Sequence, residues 1–145
     1  MGVWTFDIPT MVYSRIMADF SEDLKTKYKF KKITVNGNTT WRNFSTSQVS
    51  ETAPIFPYIT VIELPGAERG QDLEGTSINA ALFTFQVDVF DNVSETRTKK
   101  CMEEVVRIMK TMRFQIPTMA SFESKPQEYR MTTRFQRLLG NGDVL

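Results

Sequence analysis

The alternation of apolar and polar residues is strongest at residues 80–91, where it predicts a long strand. One face of this strand is apolar throughout: Ala81, Phe83, Phe85, Val87 and Val89. The other face is mixed: Leu82, Thr84, Gln86, Asp88 and Phe90. Successive strand residues point to opposite faces, so we expect the first face to lie in the core. The mixed face is either wetted or packed against a neighbouring subunit.

Apolar residues at helical spacing predict two main helices. The first runs over residues 7–28, with Asp7 able to cap it and Pro9 in its first turn. The opposite, polar face of that helix includes Lys25 and is expected to face solvent. The second helix follows the long strand, with Asn92 or Ser94 as its cap. Its apolar positions are Cys101, Met102, Val105, Val106, Met109 and Met112.

Shorter alternating runs predict the remaining strands. Residues 30–35 and 39–44 read as a hairpin around the Asn36-Gly37 turn, and residues 45–54 as a polar loop. Residues 58–64 form a compact apolar run after Pro57, which suits a strand entrance. A short strand is expected at residues 121–124 and a longer one at residues 128–138, whose polar face carries Arg130, Thr132, Arg134 and Gln136.

Residues 65–79 contain turn signals and few apolar side chains, which predicts a long loop. Its charged residues are Glu68, Arg69, Asp72 and Glu74. Unstructured loops of about 15 residues are uncommon in compact domains unless they are functional or disordered. The segment is therefore either a binding arm or a plain hairpin connection.

Length and composition predict one globular domain covering residues 1–145. Hydrophobic residues make up 41% of the chain and the net charge is +1, so no general attraction to DNA is expected. The single cysteine, Cys101, lies on the apolar side of the second helix and is expected to be a buried, unreactive thiol. No apolar stretch is long enough for a membrane span and no secretory signal is visible, which favours a cytoplasmic protein.

The chain contains no histidine, which excludes catalytic triads and histidine-based zinc sites. The carboxylates lack EF-hand spacing and the glycines form no phosphate-binding pattern, so neither a metal nor a cofactor is expected. Asp88 and Asp91 point to opposite faces of one strand and make a poor catalytic pair; both are expected to be solvated. Basic residues at the start of the second helix, Arg97, Lys99 and Lys100, are either solvated or reserved for a partner.

Three segments carry a resemblance to the tail terminator or tail completion proteins of long-tailed bacteriophages. They are residues 57–62 (Pro-Tyr-Ile-Thr-Val-Ile), the strand at residues 83–90 running into the helix at residues 96–112, and the closing strand at residues 129–135. The element order, helix, hairpin, strand, long loop, strand, helix and strand, is similar as well. The resemblance covers most of the chain from Pro57 onward.

This resemblance implies a non-enzymatic α+β protein with two main helices packed on one face of a mostly antiparallel sheet. It implies a hexameric ring that ends polymerisation of the tail tube and meets the head connector in the virion, after assembly in the host cytoplasm. The implied partners are other copies of the chain, the tail tube protein and the connector, with DNA passing through the lumen without specific binding. The expected contact surfaces are the outer face of the long strand, with Leu82 and Phe90, and the arm at residues 65–79.

Three other readings stay open at the level of sequence. The chain can be a phage neck protein one layer away from the terminator. It can also be an unrelated small α+β module that binds RNA through its sheet, with an affinity that falls steeply with salt. An enzyme that uses only Asp, Glu or Lys is the third possibility, although no catalytic constellation is visible.

Overall fold

The computed structural model describes residues 6–46, 55–69, 80–117, 120–140 and 142–145. The helices are α1 (Ile8–Asp19), α2 (Glu22–Lys27) and α3 (Glu95–Thr111). The strands are β1 (Lys32–Val35), β2 (Asn38–Trp41), β3 (Phe44–Ser45), β4 (Tyr58–Arg69), β5 (Ala80–Asp91), β6 (Ser121–Lys125) and β7 (Glu128–Gly140). The predicted α+β class is confirmed.

Strands β3 to β7 form one sheet in the order β3-β4-β5-β7-β6, and β1 pairs with β2 in a separate hairpin. The pairings β4–β5, β5–β7 and β6–β7 are antiparallel, while the two-residue β3 runs parallel to β4. The β1–β2 hairpin turns at Asn36 and Gly37, which both have positive φ. This turn matches the prediction, because Asn-Gly adopts those angles at little cost.

One hydrophobic core lies between the helices and one face of the sheet, which we call the helix-side face. On β5 this face carries Phe83, Phe85, Val87 and Val89, all buried as predicted. Helix α3 packs on β5 and β7, and α1 packs on α3. Both helices contribute to the same core, so the predicted arrangement of two main helices on one face is observed.

The predicted single helix at residues 7–28 is in fact two helices. Phe20 leaves the helical conformation with ψ of 137°, and the Ser21 hydroxyl then accepts from the N–H of Leu24 to cap α2. The Phe20 ring stacks on Phe30 at 5.3 Å and meets Phe44 edge-on at 5.5 Å, so packing with the hairpin region fixes the break. Asp7 occupies the N-cap position of α1 but makes no side-chain capping bond.

The prediction that Lys25 faces solvent is wrong, because its side chain is only 3% exposed. Its ammonium donates to the carbonyl of Met17 at 2.9 Å and to Glu22 at 3.2 Å. It also lies 4.8 Å from the centre of the Trp41 ring. The break between α1 and α2 turns Lys25 inward, and a carbonyl, a carboxylate and an aromatic face compensate the buried charge.

The predicted loop at residues 65–79 is shorter at its start than expected. Strand β4 continues through Pro65 and Gly66 to Arg69, with a register shift between Leu64 and Ala67. Pairing with β5 resumes at Ala67 opposite Leu82, so the turn signal in the sequence produces a bulge rather than the end of the strand. Residues 70–79, with Asp72 and Glu74, lie outside the described residues.

Candidate functional site

The outer face of the sheet points away from the helices and carries the sequence-predicted residues Leu82 and Phe90. Within the described strands it comprises Tyr58, Thr60, Ile62 and Leu64 of β4; Leu82, Thr84, Gln86, Asp88 and Phe90 of β5; Ser121, Glu123 and Lys125 of β6; and Glu128, Arg130, Thr132, Arg134, Gln136 and Leu138 of β7. Tyr58, Thr60 and Asp88 on this face are buried, whereas Arg134 and Leu138 are exposed. The face is thus covered in part and open to solvent in part.

Apolar side chains lie at two ends of the outer face. At one end Leu82 pairs in register with Leu138, which is 55% exposed, and Leu82 itself is half-buried. At the other end Phe90 pairs with Tyr58, with ring centroids 6.4 Å apart. Leu82 and Phe90 therefore lie on the face that the sequence predicted, but at opposite ends of it. Leu138 was missed, although the alternation along β7 places it on the same face as Arg134 and Gln136.

A polar network occupies the centre of the outer face. The Asp88 carboxylate is fully buried and accepts from Arg130 Nε and Nη2 at 3.2 and 3.1 Å. The Thr132 hydroxyl donates to the same oxygen, and Gln86 Nε2 donates to the other at 3.1 Å. Arg134 Nε in turn donates to Gln86 Oε1 at 3.3 Å. The network links β5 to β7 and fixes the positions of these side chains.

The expectation that Asp88 and Asp91 are solvated is wrong, although they do point to opposite faces. Asp91 is 2% exposed and forms an ion pair with Arg97, whose Nε lies 2.9 Å from the carboxylate. The backbone N–H of Ser94 also donates to Asp91, at 3.2 Å. Each acid is buried because an arginine and further donors satisfy it. Arg97 therefore belongs to the β5–α3 junction, and its side chain is only 17% exposed.

The remaining predicted contact residues are in or beside the arm. Glu68 and Arg69 lie at the end of β4, opposite Ala81 and Ala80 of β5. They are therefore at the same end of the sheet as Leu82, while Phe90 is at the other. Asp72 and Glu74 are outside the part of the chain that the structure describes.

A cleft of about 360 Å³ opens at the Phe90 end of the sheet. Its lining mixes acids and bases, including Glu123, Glu128, Lys125 and Arg130. Side chains of both signs suit an exposed polar contact better than the selective binding of one small ion. The cleft therefore carries charges of both signs at the Phe90 end of the outer face.

Two features of the described residues bear on chemistry: the arrangement of possible metal ligands and the state of the single cysteine. They contain no group of three or more Cys, Asp or Glu side chains arranged to bind a metal. Burial raises the pKa of the Cys101 thiol to about 12, and the nearby Asp91 carboxylate acts in the same direction. A thiol with this pKa is protonated at neutral pH and is a poor nucleophile. None of the described helices combines the length and the apolar character that crossing a membrane requires.

No protein-family model matches this chain, and no curated protein sequence matches it.

Proposed function

We propose that this chain is a structural virion protein that forms a hexameric ring at the head-proximal end of a phage tail tube. The ring ends polymerisation of the tube and joins the tail to the head connector. The observation that carries the proposal is the two-sided sheet, with helices and core on one face and exposed Leu138 beside half-buried Leu82 on the other. Such a ring protein needs surfaces for its neighbours and no catalytic machinery.

The outer face has the composition of a contact surface. Exposed Leu138 beside Leu82 supplies apolar area, and Phe90 supplies an aromatic side chain at the far end. Apolar and aromatic side chains surrounded by polar ones are typical of protein interfaces. The Asp88 network keeps the centre of the face rigid, which lowers the entropy lost when a partner binds. The tube protein and the connector are the partners we propose for the axial surfaces.

The arm supplies the surface toward the lumen in this proposal. Glu68, Asp72 and Glu74 are acidic, and like-charge repulsion from such residues keeps passing DNA from adhering to the ring. Reversal of these three charges should make DNA bind to the assembled ring in a salt-dependent manner. A ring whose arms point away from the lumen would contradict this part of the proposal.

A nucleic-acid-binding module is the alternative that one observation favours, since Phe90, Tyr58 and the exposed Arg134 share the outer face. However, acids and bases are equal in number among the outer-face side chains whose burial the structure describes. Three acids, Asp88, Glu123 and Glu128, oppose three bases, Lys125, Arg130 and Arg134. Arg130 is also bound to Asp88, so the face offers phosphates little net attraction.

The test is polymerisation of the cognate tail tube protein with and without this chain, followed by electron microscopy of the tubes. We expect shorter tubes that carry a ring at one end only. Leu82→Arg and Phe90→Arg should weaken this effect, whereas Asp23→Arg on the exposed surface of α2 should not. Tubes of unchanged length with bare ends would overturn the proposal. Binding to the connector without any effect on tubes would instead identify a neighbouring neck protein.

A further inference from the structure

The sheet has two open edges in the described part of the chain. At the first edge, β3 pairs with β4 only at Ile59 and Thr60. The N–H of Ile59 donates toward this edge, to the carbonyl of Asn43 at 2.7 Å. Backbone groups alternate in direction along a strand, so those of Glu63 also point outward. Glu63 lies beyond the reach of β3, and its edge groups have no partner among the described residues.

The second edge is β6, which pairs only with β7 among the described strands. Gln136 of β7 exchanges two backbone hydrogen bonds with Gln115, each 2.8 Å long, on the side of β7 where β6 lies. Because backbone directions alternate along a strand, the N–H and C=O groups of Thr132 and Arg130 in β7 also point toward β6. Those of their partners Ser121 and Glu123 point toward β7. The backbone groups of Phe122 and Ser124 therefore point outward. All residues of β6 except the half-buried Phe122 are exposed.

Strand direction and side-chain parity make the two edges compatible with each other. Strands β4, β5, β7 and β6 alternate in direction, so β6 of one copy beside β4 of the next gives an antiparallel junction. Glu63 lies on the helix-side face, opposite the core residue Phe85. Phe122 lies on that face too, opposite Met131, which packs against the core. Pairing Glu63 with Phe122 or Ser124 thus keeps the helices of both copies on one side.

Charge complementarity favours the same junction. The Glu63 side chain is exposed and has no ion-pair partner among the described residues. On the β6 edge, Lys99 Nζ lies 5.2 Å from the centre of the Phe122 ring, on the helix-side face. Lys99 is about half exposed and is held by Glu95 at 2.6 Å. In a junction that pairs Glu63 with Phe122, the Glu63 carboxylate of one copy and the Lys99 ammonium of the next lie on the same face, beside the Phe122 ring.

We propose that β6 of one copy adds to the open edge of β4 in a second copy, so that the sheet continues from copy to copy. The contact is head-to-tail, because the two edges are different surfaces of the chain. It rests on the proposed function in that it specifies the lateral contact of the ring. Main-chain hydrogen bonds at Glu63, Phe122 and Ser124 provide affinity, and the Glu63–Lys99 pair selects the register.

Charge reversal tests the contact. Glu63→Lys and Lys99→Glu should each weaken self-association by about tenfold or more, because each places like charges at the junction. A mixture of the two variants should reassemble, since in an alternating ring every junction again joins unlike charges. The double variant should also assemble alone. Asp23→Lys and Lys110→Glu, which change exposed charges elsewhere, are the controls and should assemble like the wild type.

A backbone variant provides a second test. Ser124→Pro removes an outward-pointing N–H without removing a bond to β7, so it should block the junction and leave the monomer folded. Sedimentation velocity measures the assembly of all variants, and circular dichroism checks their folding. Hexamers that survive Ser124→Pro and both charge reversals would overturn the edge contact and leave the ring proposal intact. Open filaments that need these residues would uphold the edge contact and overturn the ring.

A wild-type chain that stays monomeric at every concentration and at tube ends would overturn both proposals. Failure of the two single-charge variants to reassemble when mixed would overturn the Glu63–Lys99 pairing itself. The mixing result separates this pairing from a general effect of charge on solubility, because neither variant regains its original residue.

Discussion

Asp88 and Asp91 lie three positions apart on β5, and each is buried beside an arginine. Their opposite faces follow from strand alternation and were predictable. Their burial was not, because it depends on partners distant in the fold: Arg130 comes from β7, which the register places next to β5. Arg97 is only six residues from Asp91 along the chain. This ion pair at the β5–α3 junction could therefore have been predicted from the sequence.

Removal of the Asp88 carboxylate should destabilise the fold. We expect Asp88→Ala to lower the free energy of unfolding by about 2 to 3 kcal/mol, because Thr132 and Gln86 lose their acceptor and Arg130 loses its counter-ion. The Arg130 side chain is 37% exposed and regains some hydration, which keeps the loss below that of a fully buried pair.

Urea denaturation measures this loss from the shift of the midpoint at a constant slope. Glu123→Ala is the matched control: Glu123 is an exposed acid on the same face, opposite Arg130 in the register. It should change the stability by less than about 0.5 kcal/mol. Equal effects of the two substitutions would contradict the role given to Asp88.

The Cys101 thiol should be unreactive in the folded protein. Burial raises its pKa to about 12, so the thiolate is scarce near pH 8 and the sulfur is also inaccessible. A thiol reagent at pH 8 should label the native chain far more slowly than the urea-unfolded chain. Rapid labelling of the native chain would show that α3 does not pack on the sheet as described.

The raised pKa of Cys101 also determines the direction in which stability changes with pH. The pKa of Cys101 is higher in the folded state than in the unfolded state, so the unfolded chain loses its proton first as the pH rises. The contribution of the protonated Cys101 thiol to folding stability is fully present below its ordinary pKa of 9.0 and declines as the pH rises above that value. Cys101→Ala is the control, because it should remove that part of the decline.

At the scale of elements, strand β5 and helix α3 were the most predictable. The apolar face of β5 alternates over its whole length, and Ser94 precedes α3 as a capping residue. The break between α1 and α2 was not predictable from spacing, since Phe20 and Leu24 continue the apolar stripe across it. The contacts of Phe20 with Phe30 and Phe44 decide the break, and they form only in the folded chain.

The Ser94 cap should contribute measurably to the stability of α3. Its hydroxyl accepts from the N–H of Arg97 at 3.1 Å, satisfying one of the free donors of the first turn. We expect Ser94→Ala to lower the unfolding free energy by about 1 kcal/mol, and Ser94→Asp to retain the cap. Thermal denaturation followed by circular dichroism measures both.

Ser14 provides the comparison for this cap, because it is exposed in the interior of α1. Ser14→Ala should leave the stability unchanged or raise it slightly, since alanine is the better helix former. A similar loss in both serine variants would mean that the effect at Ser94 does not arise from capping.

At the scale of the whole molecule, the class and the strand order along the chain were accessible from the sequence, but the neighbours in the sheet were not. The polar alternation of β7 indicated a two-sided strand, yet only the register shows that Arg130 meets Asp88 and that Leu138 meets Leu82. The same holds for the sheet edges. Glu63 lies inside the apolar run at residues 58–64, and only the pairing pattern indicates that its backbone groups point away from β5, where the described residues offer no partner.

The outer face and the two edges give one consistent picture of the proposed assembly. The edges lie at opposite sides of the sheet and serve a head-to-tail lateral contact, which closes into a ring when the rotation between copies is suitable. The outer face and the arm remain for the tube, the connector and the lumen.

The most direct test of this account is the mass of the purified chain in solution, measured by light scattering alone and with tail tubes present. We expect a hexamer, or a monomer that assembles into six copies only at tube ends. The mass should not depend on added nucleic acid. A monomer that ignores tubes at every salt concentration would contradict the central claim.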